Sequence, residues 1–346
     1  MDTAAFDYEL PDERIAQEPL AVRDAARLLV DEGPGSAPAD RTVRDLPSLL
    51  EPGDLVVLNH TRVLPARLPL RRPSGGAAEV LLLEEQTDGS WSALVRPSRR
   101  LAEGVVLHSE RAALRVEIGT DHGEGLRTVR LETPAGRSLL ESLDAAGEVP
   151  LPPYIRRRLA DPERYQTVFA ASDAVLPQSV AAPTAGLHLT ERVLRELAER
   201  GITVASLELA VGLGTFRPIK AETVEDHVMH AERYRVPEST WAQVERAERV
   251  VAIGTTTVRA LESVAATGRL EGRTELFIHG DYPFAAVDRL LTNFHQPRSS
   301  LLVMIDAFVG PRWRPLYEHA LAHGYRFLSF GDAMLLTRRD RWGTRR

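Results

Sequence analysis

From residue 191 onward, helix-like and strand-like patterns alternate along the chain, and this order limits the possible folds most strongly. A strand that is followed by a helix and a second strand usually returns to the same sheet in the same direction. The alternation therefore predicts an α/β domain with a mostly parallel sheet. The expected order is helix 191–200, strand 202–209, helix 239–248, strand 250–253, helix 254–266, strand 274–278, and helices 299–309 and 316–322.

The pattern is different between about Pro65 and Pro150, where short β-like segments follow one another without helices. Turn signals such as Asp88-Gly89 separate some of them. Five or six such strands predict a small barrel or sandwich. Because an apolar strand at 55–58 precedes this stretch, we expect a main α/β domain formed by 1–64 and 151–346, interrupted by a small inserted β-barrel domain at 65–150. The β-like segments are 79–84, 91–95, 105–108, 114–118 and 128–131.

Composition narrows the class of protein. A length of 346 residues suggests about two domains, and 43% hydrophobic with 27% charged residues is ordinary for a globular chain. The absence of cysteine excludes disulfides, thiolate metal sites and cysteine nucleophiles. The acidic N-terminus is not a signal peptide, and no run of about 18 apolar residues occurs. We therefore expect a cytoplasmic protein with no membrane partner.

The net charge of −6 gives no general attraction to nucleic acid. Local arginine clusters are compatible either with a solvated face or with phosphate binding, and the sequence does not distinguish the two for any cluster. The clusters lie at 71–72, 96–100, 156–158 and 338–346.

The stretch 180–189 combines small residues, Pro183, Gly186 and one imidazole, His188, just before a helix whose predicted N-cap is Thr190. A helix N-terminus favours negative charge, so the stretch is a candidate ligand site. The alternative is a tightly packed loop in which His188 is a satisfied, partly buried histidine.

The stretch 226–232 holds four ionisable groups in seven residues. On a helix, His227 and His230 would share a face and could bind a metal. No third ligand is evident at a suitable spacing, so we expect no metal here and favour acid–base chemistry or hydrogen bonding to substrate.

Two further turns follow predicted strands. Gly212 and Gly214 form only half of a dinucleotide fingerprint, because Arg217 stands where the third glycine would be. The turn 254–257 could present N–H groups and hydroxyls to an anion or a ribose, or could be a plain helix cap. Arg259 follows on that helix and is a candidate ligand for a carboxylate or phosphate, with a structural salt bridge as the alternative.

Together these stretches resemble the S-adenosylmethionine:tRNA ribosyltransferase-isomerase family of the queuosine pathway. The similarity extends over nearly the whole chain and includes the run PGDLVVLNHTRVLPAR at 52–67 and the run VAIGTTTVRALES at 251–263. The other matching pieces are 6–11, 23–29, 151–155, 165–168, 180–188, 212–216, 225–232, 287–297 and 325–335.

The resemblance implies an α/β domain interrupted by a small β-barrel. It also implies that S-adenosylmethionine serves as a ribosyl donor and co-substrate, with no other cofactor. The implied acceptor is the aminomethyl group of a 7-deazaguanine in the tRNA anticodon loop, and the products are epoxyqueuosine, adenine and methionine. We expect a monomer.

This chemistry needs a base for the C5′ proton beside the sulfonium, a proton donor for the departing adenine and a neutral acceptor amine. The groups expected to supply it, without individual roles, are His188, Asp226, His227, His230, Glu232 and His295. The residues expected to bind substrate are Asn59, Thr61, Arg62, Pro183, Thr184, Ala185, Gly186, Gly212, Gly214, Thr215, Gly254, Thr255, Thr256, Arg259, Asn293, Phe294 and Asp332.

The chain departs from the family pattern inside several motifs. Ala210 stands where a histidine is usual, and Gln296 begins a run that is usually Leu-Pro-x-Ser-Thr. Two alternatives therefore stay open: a paralogue that uses the same donor on a free small molecule or merely cleaves it, and a catalytically weak nucleoside- or RNA-binding protein. The remaining departures are His60, Leu189, His279 and Asp306.

Overall fold

The computed structural model describes residues 1–171, 179–212 and 218–341. These residues form two compact units. The main unit comprises Met1–Arg62, Pro153–Ala171 and the described residues from Ala182 onward, and the second unit comprises Val63–Pro152 with Ser179–Ala181. The junctions near 64 and 150 lie two residues from the expected boundaries, whereas residues 179–181, expected in the main domain, belong to the second unit.

The main unit contains a nine-stranded sheet. Its strands are β1 (Arg27–Val30), β2 (Ala39–Thr42), β3 (Asp54–Asn59), β10 (Thr203–Leu209), β11 (Glu232–Arg235), β12 (Arg249–Ile253), β13 (Glu271–Thr274), β14 (Arg289–Asn293) and β15 (Ala333–Thr337). They lie in the order β13-β11-β10-β3-β12-β14-β15-β1-β2. Its helices are α2 (Glu191–Glu199), α3 (Glu238–Arg246), α4 (Thr255–Thr267), α5 (Ser300–Val309) and α6 (Trp313–Ala322).

The four central strands run parallel. Val251 of β12 lies between Val56 of β3 and Arg289 of β14, and β10 continues the parallel pairing on the far side of β3. Antiparallel neighbours flank this centre, with β11 beside β10 and β15 beside β14. The predicted mostly parallel α/β sheet is confirmed.

The apolar sequence of the central strands explains their position. Every residue of β3 is buried, as expected for a strand covered on both faces. On one face, Leu58, Ile253 and Leu291 pack in one core cluster with Val193 and Leu197 of α2. Thr190 caps α2 by accepting a hydrogen bond from the Val193 N–H, as the sequence predicts.

The second unit contains a closed six-stranded barrel, which confirms the predicted β-barrel. The barrel strands are β4 (Arg67–Arg71), β5 (Ala77–Glu85), β6 (Trp91–Arg96), β7 (Val106–His108), β8 (Arg115–Asp121) and β9 (Leu126–Glu132). They lie in the order β4-β5-β6-β9-β8-β7, and apolar side chains alternate into the interior, as in β6. Helix α1 (Leu139–Ala146) was not predicted, although Ser138 and Glu141 form a capping box that marks its start.

One local prediction in the main unit is wrong. The strand expected at 274–278 is β13, which ends at Thr274 and pairs antiparallel with β11 at the sheet edge. Residues 227–231 do not form the helix on which His227 and His230 would share a face, since a 3-10 turn, Val224–Asp226, leads by an irregular segment into β11. The polar residues of β11 and β13 gave no apolar pattern from which these edge strands could be predicted.

The helices of the described ranges are all too short or too polar to cross a bilayer.

Truncation of the central core should destabilise the main unit. Leu291→Ala removes a fully buried side chain from β14, and such truncations cost about 2–5 kcal/mol. Val228→Ala is the matched control, because Val228 is 81% exposed and its truncation should change stability by at most about 0.5 kcal/mol. We expect thermal unfolding to show a melting temperature lowered by several degrees for Leu291→Ala alone. Equal melting temperatures for the two variants would contradict this placement of the core.

Candidate functional site

A cleft lies in the main unit at the carboxyl ends of the parallel strands. Counted with its open mouth and the solvent there, it encloses about 590 Å³. Ligands of open α/β sheets bind at this edge. The cleft is lined by Tyr154, Ala182, Pro183, Thr184, Ala185, Val211, Gly254, Thr255, Thr256, Thr292, Asn293, Phe294, His295, Gln296, Ser299, Leu301, Leu328 and Ser329.

Nine of the residues expected from the sequence thus come together. They derive from three stretches: Pro183 to Ala185 before α2, Gly254 to Thr256 between β12 and α4, and Asn293 to His295 after β14. Gly254 has φ +92°, a backbone conformation that favours glycine, and its N–H bonds the carbonyl of Leu291. The strand can therefore turn directly into α4, whose first threonines line the cleft.

Asn293 joins the stretches through its carboxamide. Its Nδ2 donates to Nε2 of His188 at 2.9 Å and to the carbonyl of Leu328 at 3.3 Å. Its Oδ1 accepts from Thr184 Oγ1 at 3.0 Å. Because a carbonyl oxygen only accepts, the bond to Leu328 fixes which end of the amide is nitrogen. The Nε2 of His188 must then be an acceptor, so this imidazole is neutral.

His188 is buried and does not line the cleft. Burial, together with the charges of Arg326 and Arg23, lowers its pKa from 6.5 to about 4. Gly186 beside it packs so closely that a Cβ would stand 2.7 Å from Phe169 Cζ. His188 therefore contacts the site through Asn293, which makes it a positioning residue and supports the packed-loop interpretation.

His295 does line the cleft. Burial lowers its pKa from 6.5 to about 3, and its Nε2 lies 3.0 Å from Thr292 Oγ1. Its backbone is held at both ends, since the N–H donates to the hydroxyl of Tyr317 and the carbonyl accepts from that of Tyr8. At neutral pH this imidazole is an uncharged hydrogen-bonding group.

Tyr154 and Ser329 form a polar pair in the cleft that the sequence did not assign. Their side-chain oxygens are 2.7 Å apart, and burial raises the pKa of Tyr154. The two residues are 175 positions apart, so no local pattern indicates their meeting.

Leu328 carries backbone strain at the cleft. Its φ of +69° is rare for a bulky residue, and such strain concentrates at functional sites. The N–H of Leu328 bonds the carbonyl of Phe294, and the Leu328 carbonyl receives Asn293 Nδ2. The strained residue thus directs a carbonyl at the central amide.

Asn59 and Thr61 do not line the cleft, but Asn59 hydrogen-bonds a residue that does. Asn59 Nδ2 donates to the Leu209 carbonyl at 3.0 Å and to Thr256 Oγ1 at 3.4 Å, and its Oδ1 accepts from the N–H of Thr61. The side chain therefore connects the ends of β3 and β10 with the start of α4.

Arg259 has protein partners and does not line the cleft. It forms a buried ion pair with Glu232, and its Nε and Nη2 donate to the carbonyls of Leu276 and Thr274. Glu232 also accepts the N–H of Gly212 at 2.9 Å. This geometry favours the structural salt bridge over the ligand-binding role. The pair ties β11 to α4 and to the residue after Val211 of the cleft.

The remaining candidates lie outside the lining. Asp226 and His230 are exposed, and His227 packs edge-on against Phe277. Arg62 is exposed and paired with Glu163. Asp332 accepts the N–H groups of Arg27 and Arg326, which is a structural role. Gly214 and Thr215 fall outside the described residues. Within the described ranges, no three histidine, aspartate or glutamate residues converge as metal ligands would.

Comparison with known proteins adds to this geometry. The model of the queuosine biosynthesis protein family matches residues 3–336. The chain belongs to this family.

Relatives within this family cover almost all of the chain. The S-adenosylmethionine:tRNA ribosyltransferase-isomerase of Rubrobacter xylanophilus is 50% identical over 337 residues, which is 97% of this chain and 98% of the relative. That of Moorella thermoacetica is 48% identical, over 96% of this chain and 98% of the relative. The crystal structure of an S-adenosylmethionine tRNA ribosyltransferase from Thermotoga maritima is 34% identical, with a TM-score of 0.53, and covers 95% of this chain and 99% of that one.

The two buried histidines of this family member should make its stability depend on pH. In the unfolded chain they bind protons below about pH 6.5, whereas in the folded protein His188 and His295 do so only near 4 and 3. Stability is therefore lost as the pH falls below about 6.5, by roughly 2 kcal/mol per histidine between pH 7.5 and 5.

His188→Asn should remove one of these contributions. We expect urea unfolding at pH 7.5 and pH 5 to show a smaller loss of stability for this variant than for the wild type. His108→Asn, which alters an exposed histidine of β7, should keep the wild-type difference. An unchanged pH dependence in His188→Asn would show that His188 is not held neutral.

Proposed function

We propose that this protein transfers and isomerises the ribosyl group of S-adenosylmethionine onto 7-aminomethyl-7-deazaguanine in tRNA, releasing adenine and methionine and forming epoxyqueuosine. The observation that carries the proposal is the match to ribosyltransferase-isomerases along nearly the whole chain. The cleft supports it physically, because its lining combines hydroxyls, an amide and a neutral imidazole with apolar side chains, as a nucleoside site requires.

We place the adenosine part of the donor in this cleft. Its described lining includes no carboxylate, lysine or arginine, which suits an uncharged nucleoside. The hydroxyls of Thr255 and Thr256 and the second lone pair of Asn293 Oδ1 are the groups available to hydrogen-bond a ribose and a base edge. The apolar side chains of Val211 and Leu328 exclude water around them.

Proton transfer needs groups beyond this lining. His295 has a pKa of about 3 and is a weak base, and the raised pKa of Tyr154 keeps that phenol protonated. We therefore assign His295 to hydrogen bonding and orientation. The ionisable side chains of Asp226 and His230 remain the candidates for the base that acts on C5′ and the acid that assists adenine departure. Their segment leads into β11, whose Glu232 accepts the N–H of Gly212, the residue that follows Val211 of the cleft.

Variants of this segment test the assignment. We expect His230→Ala and Asp226→Asn to lower turnover by about 10²–10⁴-fold, the usual contribution of an acid or base, with little change in S-adenosylmethionine binding. Both residues are exposed, so neither change should disturb folding. His319→Ala, a histidine on α6, is the control. Near-normal turnover in both test variants would remove the segment from the mechanism.

Ala210 bears on the identity of the acceptor. Ala210, directly before Val211, lacks the imidazole that is usual in the family pattern, so we expect slower tRNA modification than in typical members and an increase on Ala210→His. The loss of one buried hydrogen-bonding partner can cost about 1–3 kcal/mol.

A paralogue that acts on a free small acceptor is the second candidate function. We further propose that the protein acts as a monomer in the cytoplasm.

Product analysis distinguishes these functions. The protein is incubated with S-adenosylmethionine and one of three additions: tRNA that carries the aminomethyl base, the free base, or nothing. Mass analysis then follows adenine, methionine and the tRNA nucleosides. We expect all three products only with tRNA. Adenine release with the free base alone would establish the paralogue, and no donor turnover under any condition would leave a binding protein.

A further inference from the structure

Arg298 occupies an unusual position at the rim of the cleft. It lies between Gln296 and Ser299, both of which line the cleft, and its own side chain is exposed. Its backbone φ is +55°, a left-handed conformation that a residue with a side chain rarely adopts. A glycine would fit this backbone without strain, yet the position holds a long cation.

Neighbouring segments hold the strained backbone in place. The N–H of Arg298 donates to the carbonyl of Phe6 at 2.9 Å, and its carbonyl accepts from the N–H of Ile219 at 2.8 Å. Pro218 and Ser299 form an antiparallel bridge beside it. The backbone is therefore fixed on both sides, and the side chain projects from a constrained point at the entrance to the cleft.

The guanidinium of Arg298 has no acidic partner among the described residues, whereas other exposed arginines, such as Arg62, Arg156 and Arg157, pair with carboxylates. Lys220, the single lysine of the chain, is also exposed and follows Ile219 directly. Two exposed cations thus lie on backbone segments that are hydrogen-bonded to each other, in a protein whose net charge is −6. Strained backbone is retained where a function requires the residue, and an unpaired guanidinium suits a phosphate.

We propose that Arg298 binds a backbone phosphate of the RNA acceptor and so positions the anticodon loop at the cleft mouth, with Lys220 beside it. This inference rests on the proposed function and names a contact within it. The exposed rim favours a large polyanion that stays outside the cleft. A carboxylate of the co-substrate is the alternative ligand, and the experiment below separates the two.

The left-handed backbone provides a clean test. Arg298→Gly and Arg298→Asn remove the charge but suit the conformation, so both variants should fold at least as well as the wild type. Arg200→Gly is the control, because Arg200 is an exposed arginine at the C-terminal end of α2 and precedes β10, at the opposite edge of the sheet from the cleft. Binding of a labelled anticodon stem–loop RNA is measured over a range of salt concentrations.

We expect Arg298→Gly to weaken RNA binding roughly three- to tenfold and to reduce the slope of log Kd against log salt by about one. Arg298→Lys should keep most of the slope, and S-adenosylmethionine affinity should stay unchanged. Wild-type RNA affinity and slope in Arg298→Gly would overturn the inference, as would weaker S-adenosylmethionine binding with unchanged RNA binding. Failure of the proposed function is distinguishable, because wild-type protein would then modify no tRNA.

Discussion

The candidate site depends on the carboxamide of Asn293. Its two hydrogen-bonding ends fix two separate parts of the chain at the end of β14: Thr184 and His188 from the loop before α2, and the carbonyl of Leu328 from the loop before β15. All of these groups are in or beside a cleft wall with little access to water, where an unpaired polar atom is costly. Each partner therefore holds the others in one arrangement.

This constraint explains why an imidazole stands at position 188. The low pKa of His188 follows from burial and from two nearby arginines, and it keeps Nε2 available as an acceptor. A protonated ring would present a second N–H to Asn293 Nδ2 and break the network. The same logic applies to His295, whose uncharged ring lines the cleft. The histidines in and beside the cleft are thus uncharged at neutral pH. The ionisable groups that we expect to transfer protons lie on the segment that precedes β11.

The sequence predicted the frame of this site well. Buried parallel strands have continuous apolar runs, so β3 and β12 could be located within one residue, and the turn at Gly254 followed from them. The edge strand β13 was misplaced because it is polar. The pair of Tyr154 and Ser329 could not be predicted, since only the tertiary fold brings these two residues together. The sequence left His188 open between a catalytic role and a packed loop, because its burial depends on packing that the sequence does not display.

The most direct test of the site is to locate the bound co-substrate by hydrogen–deuterium exchange of the whole protein with and without S-adenosylmethionine. We expect slower exchange in the stretches 182–188, 254–258 and 292–302, which contain the cleft lining or its immediate support. The barrel strands, such as β8, should exchange at the same rate in both states. Protection confined to the barrel, or to the segment 226–230 with none around Asn293, would contradict a donor site in this cleft.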